Sequence, residues 1–139
     1  MKTKKDKNEN PWVYIQNAKK ILKEKAGKDG EFYEHPKYVR IAGHTAYMGV
    51  LIALDELMKK YNCTKKSRKK VEDYQEFLAI RNRKILTYFN ETYEILHLVM
   101  GYDGSLLISI SKEGFKLASH IIEWVEKQLG KKWDKENIN

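Results

Sequence analysis

A single cysteine, Cys63, stands among the 139 residues. One thiol cannot close an internal disulfide, which excludes a disulfide-stapled scaffold and fits a reducing compartment. Proline is nearly missing too. Pro11 and Pro36 are the only two, so nothing of that kind breaks a helix after position 36. The longest apolar run is Ala46 to Leu54, nine residues with Gly49 counted. A membrane span needs about 20. Lys2, Lys4, Lys5 and Lys7 are not followed by the apolar stretch of a secretory signal. These absences predict a soluble, cytoplasmic protein that does not enter a membrane. There is also no Gly-rich phosphate loop, no G-x-S-x-G, no H-E-x-x-H and no Cys/His cluster. The sequence therefore names no catalytic residue, no cofactor and no metal, and more readily suggests a protein that is not an enzyme.

What is present is charge and helical rhythm. Hydrophobic residues make up 42% and charged residues 33%, a balance typical of helix-rich globular chains. The length suits one domain with its own core, expected over 10–130 with tails at 1–9 and 131–139. Net charge is +8. Seven basic residues (Lys59, Lys60, Lys65, Lys66, Arg68, Lys69, Lys70) fall between 59 and 70 with no acid among them. Without those seven, 20 basic groups face 19 acidic ones, so the basic character reads as one segment.

Asn10 before Pro11 marks a first helix, closed by Gly27, and 27–36 reads as a loop. A second helix runs from just after Pro36 to about Tyr61. Ala42, Ala46, Gly49 and Ala53 share one stripe of it, where small side chains admit a close neighbour. Glycine inside a helix costs about 1 kcal/mol, so Gly43 and Gly49 imply close packing that offsets the cost. Ser67 is the expected N-cap of a long third helix ending at Met100, with Gly101 as its cap and GYDG (101–104) as a turn. That helix carries two stripes, Leu86–Phe89–Tyr93–Leu96–Met100 and Val71–Tyr74–Leu78–Arg81–Ile85–Tyr88. Ile108 to Ser111 alternates like a strand but has no partner strand, so a fourth helix is placed from about Ser105 to Leu129, ended by Gly130. The expected fold is all-α: an up-and-down antiparallel four-helix bundle.

Candidate polar residues are Arg40, His44, Tyr47, Asp55, His97 and Asp103. His44 is four residues after Arg40 on one helix face and has the chemistry of an acid–base group; a hydrogen-bonded core histidine is the plainer reading. Glu94-x-x-His97 has the spacing of di-iron carboxylate bundles, but the second such pair those sites need is missing, and His120-x-x-Glu123 runs in reverse. Cys63 reads as a spectator thiol beside the basic stretch. The basic segment suits phosphate contacts; a solvated loop is the plainer reading.

The runs NAKKIL (17–22), KYVRIAGHTAYMGVLIALDEL (37–57), LHLVMGYDG (96–104) and IIEWV (121–125) resemble a small family of uncharacterised bacterial helical proteins, catalogued as a domain of unknown function. The resemblance covers nearly the whole chain and implies a helical bundle without an activity. More distantly, the helix order and the Ala-rich second helix are similar to the HEPN superfamily, whose members are often dimeric. Active HEPN ribonucleases carry Arg, four to six residues, then His. Here Arg40 to His44 has three between, and Arg81-Asn82 and Arg83 to Asn90 lack the histidine. Arg81, Asn82, Arg83 and Asn90 are the corresponding relict positions. Together these readings predict a protein that acts by association, as a homodimer or with another protein, with RNA or nucleotide binding through 59–70 as the alternative.

Overall fold

The computed structural model describes residues 9–63 and 68–135. The expected N-cap Ser67, the basic residues Lys65 and Lys66, and parts of both expected tails (1–8 and 136–139) lie outside the described residues.

Asn10 caps helix α1 (Pro11–Lys25) by accepting the Trp12 backbone N–H at 2.9 Å. Pro36 opens α2 (Pro36–Lys60), the long helix expected from the sequence. Among the described residues three further α-helices follow: α3 (Val71–Arg81), α4 (Arg83–Thr92) and α5 (Ile108–Leu129). A π-helical segment (Tyr93–Met100) continues α4. The class is all-α, as expected. Helix α2 packs on α1, α5 and the π segment, and α3 packs on α4. Buried side chains from every helix merge into one apolar cluster.

The single helix expected over 67–100 is divided. Asn82 sits in extended backbone (φ −161°, ψ 103°), its N–H bonded to the Leu78 carbonyl at 2.8 Å. Its side chain accepts the Ile85 N–H at 3.1 Å. One residue thus ends α3 and caps α4, a role asparagine fills well. A one-residue break leaves the apolar spacing almost in phase, so periodicity alone runs through it. The change to π winding carries no sequence signal either. At the start of α3, the Asp73 carboxylate accepts the Lys70 backbone N–H at 2.6 Å.

The 27–36 loop contains a small hairpin, β1 (Lys28–Asp29) paired antiparallel with β2 (Phe32–Tyr33). It reaches the chain before α5 through Tyr33 N–H to Leu106 O at 2.7 Å and Ile108 N–H to Glu31 O at 3.1 Å. Two-residue strands are too short to alternate visibly. The Ile108–Ser111 run is helical, as expected, with α5 starting three residues later than Ser105. Gly130 closes α5 in the left-handed region, φ 71°. The chain then folds back rather than trailing away. Trp133 is buried, and its backbone N–H meets Glu126 Oε2 at 2.8 Å. The Trp12 indole N–H reaches the same oxygen at 3.0 Å, so the start of α1 is tied to the end of α5.

Candidate functional site

Helix α2 and the π segment cross at two glycines. A Cβ on Gly43 would stand 2.5 Å from the Leu96 carbonyl and 2.8 Å from the Gly101 nitrogen. Gly101 is the C-terminal cap expected from the sequence, but its backbone is right-handed (φ −67°), so no positive φ requires a glycine there. Its lack of a side chain instead admits His44, whose Cε1 would lie 2.8 Å from a Cβ there. The left-handed residue of the GYDG turn is Gly104, φ 69°.

This close crossing gathers four rings. His44 and Tyr47 on α2 face His97 at centroid distances of 5.4 and 5.0 Å. Tyr93 stacks on His97 at 5.2 Å with 30° between planes, and stands 5.9 Å from Tyr47. The i→i+5 bonds of π winding widen the turn, as in Gly101 N–H to Leu96 O at 3.0 Å.

The cluster ends an open cleft of about 490 Å³ that runs along α2 to the start of α3. Asp55 lies eleven residues beyond His44, about 16 Å along the helix. It accepts the Tyr74 hydroxyl at 2.8 Å and pairs with Lys69 at 3.2 Å. Arg68 lines the same end and is exposed. The cleft therefore has rings at one end and cations at the other.

Burial sets the electrostatics of the rings. It lowers the His97 pKa, and nearby His44 adds to the shift, so His97 is neutral at pH 7. Its Nδ1 is buried with no hydrogen-bond partner. Burial raises the Tyr47 hydroxyl well above its usual range, with Tyr93 contributing. Burial also raises Tyr74, and the Asp55 charge raises it further. All three side chains are uncharged at pH 7.

The six polar candidates divide into two groups. His44, Tyr47 and His97 converge, and Tyr47, Asp55 and His97 line the cleft. Arg40 and Asp103 do not join them. The Arg40 guanidinium donates to the carbonyls of Tyr102 at 3.2 Å and Asp103 at 3.4 Å, holding the turn, and the Asp103 side chain is exposed.

Three of the four relict positions have structural duties. Arg81 lies over the rings of Tyr61 at 4.5 Å and Phe77 at 4.0 Å. Asn82 is the cap between α3 and α4. Arg83 is exposed, and Asn90 accepts a hydrogen bond from Gln75 at 2.9 Å. Cys63 donates weakly to the Tyr61 carbonyl.

Of the described basic residues in 59–70, Arg68 and Lys69 line the cleft. Lys59 stands 4.0 Å from Glu56, and Lys60 donates to the Gln128 carbonyl at 2.8 Å. Lys70 is exposed. Tyr74 and Tyr93 are cleft residues that the sequence marked only as members of apolar stripes. Nothing in the sequence says which aromatics of a stripe end at a surface.

Among the described residues, no group of three or more His, Cys, Asp and Glu is placed to hold a metal ion. No helix among them is long and apolar enough to cross a membrane.

No curated protein matches the chain. A solved structure of a protein of unknown function from Dyadobacter fermentans superposes with a TM-score of 0.78 at 46% identity, covering 86% of this chain and 92% of that one. The family model described as "Domain of unknown function (DUF5618)" matches residues 6–127, and the chain belongs to that family.

Proposed function

We propose that the protein is a binding module whose α2–π cleft takes an anionic, ring-bearing ligand of the nucleotide class. The carrying observation is the placement of Tyr47, Tyr93 and His97 at one end of a 490 Å³ cleft and of Arg68 and Lys69 at the other. Aromatic faces stack bases at about 1–3 kcal/mol each, and cations take phosphate. Lys69 already neutralises Asp55, which leaves Arg68 to meet the phosphate. Nucleotide binding is also what the HEPN resemblance implies.

Calorimetric titration with adenosine monophosphate tests this reading. Binding is expected to weaken with salt and to fall about tenfold in both Tyr93→Ala and Arg68→Glu. Adenosine and inorganic phosphate, each carrying half of the recognition, bind more weakly. Binding indifferent to both substitutions removes the reading.

A second reading is self-association through the outer face of α2. Ile41 and Met48 are 41% and 48% exposed there, two turns apart on either side of His44. Light scattering of the wild type and of Ile41→Lys/Met48→Lys decides it. A dimer that the double substitution separates supports the reading, and a monomer at high concentration removes it.

A further inference from the structure

A second groove lies between α1 and α5 and has a volume of about 470 Å³. Both helices pack on α2 and face each other across it. The floor is apolar: Leu22 from α1, and Ile108 and Phe115 from α5. The rim is four lysines, Lys19 and Lys23 one turn apart on α1, Lys28 on the hairpin and Lys112 on α5. A shallower extension adds Lys116. No acidic residue lines either part. Among the described residues no carboxylate pairs with any of these lysines.

The polar groups at the base are already satisfied. Ser111 Oγ donates to the Ile108 carbonyl at 2.8 Å, so the Tyr33 hydroxyl, 2.6 Å away, is the donor to Ser111. The base has no spare hydrogen-bond donor, and the donors of the groove are the ammonium groups of its rim. Lys19 Nζ hangs 5.7 Å from the Phe115 ring centroid, directly over the floor. Four like charges around an apolar floor repel one another until an anion enters.

We propose that this groove binds a single-chain amphiphilic anion, its carboxylate or phosphate head held by the rim lysines and its apolar chain laid on the floor. The volume is within the range of small-molecule sites, about 300–1,000 Å³. A protein helix would need a longer groove, with anchors over several turns. The inference stands apart from the nucleotide reading, since the two sites share no residue.

The test is calorimetric titration of the full chain with dodecyl phosphate and with dodecanoate below their micelle concentrations. Inorganic phosphate, dodecyltrimethylammonium and vesicles of anionic phospholipid serve as comparisons. Both amphiphilic anions are expected to bind at one site. The ammonium amphiphile does not, and inorganic phosphate binds at least about tenfold more weakly. Lys19→Glu/Lys112→Glu lowers dodecyl phosphate affinity at least about tenfold, because charge-assisted contacts are lost. Lys23→Gln/Lys28→Gln gives a loss in the same direction should the first pair disturb folding, which circular dichroism reports. Lys127→Glu/Lys132→Glu, elsewhere on the surface, leaves binding unchanged. Undiminished affinity in both rim variants overturns the proposal. So does inorganic phosphate binding as tightly as dodecyl phosphate, or binding to vesicles without binding to either monomeric anion.

Discussion

The protein has two basic regions, built in opposite ways. The 59–70 segment is contiguous in the chain and conspicuous in the sequence. In the fold its described cations disperse: Lys59 turns to Glu56, Lys60 to the end of α5, Lys69 to Asp55. The α1–α5 groove has no such run. Its lysines come from three places, each with an acid nearby in sequence, such as Glu24, Asp29 and Glu113. Folding leaves those acids off the groove and brings the lysines together around an apolar floor. Counting charges along the chain locates the first region and hides the second, because charge density on a surface is set by packing and not by adjacency.

The strongest way to separate the two regions is at the α2–π crossing. Gly43→Ala drives a Cβ into backbone atoms of Leu96 and Gly101, which cannot swing aside as a flexible side chain can. The expected cost is about 3 kcal/mol in a denaturant titration. Nucleotide binding in the cleft should be lost, while folded protein keeps its dodecyl phosphate site between α1 and α5.

Glu126→Ala attacks the other region. It removes the acceptor shared by the Trp12 indole and the Trp133 backbone N–H, leaving two buried donors bare. A loss of about 2 kcal/mol is expected. Because α1 and α5 are tied there, dodecyl phosphate affinity should drop with stability while the cleft is spared. Equal damage to both sites would show that the two regions are not independent.

Tyr74→Phe removes the hydroxyl bonded to Asp55, at a cost of about 1 kcal/mol read from the unfolding midpoint. The Lys69–Asp55 pair should persist, since it is only partly exposed and does not depend on the phenol.

The smallest effect is that of pH on His97, which faces His44 and Tyr47 from α2 and Tyr93 from its own segment. Burial holds its folded pKa below the unfolded value near 6.5. The unfolded chain therefore binds the proton more readily. Stability from this residue is complete above pH 6.5 and is lost as pH falls toward and through the folded value. Melting temperature should decline on acidification from pH 7 to pH 5, and His97→Phe should flatten that part of the slope. A slope unchanged in the variant would assign the decline to other groups.

The helices themselves were legible because helix signals are local. Asn10 with Pro11, Pro36, Gly130 and the apolar spacing of α2 and α5 act within a turn or two of their own positions. The all-α class followed from them. The Asn82 break was not legible, since one extended residue barely shifts a stripe. The π winding was not either, since Tyr93, Leu96 and Met100 keep the spacing of an ordinary helical stripe. His44, Tyr47, Asp55 and His97 could be named in advance as polar groups on helices. Their grouping could not, nor could the loss of Arg40 and Asp103 to the GYDG turn. A side chain's own chemistry is written in the sequence, and so is the helix that carries it. Which side chains meet depends on how helices cross, and that was decided here by the bare glycines Gly43 and Gly101 and by the shared seat that α2 offers to α1, α5 and the π segment.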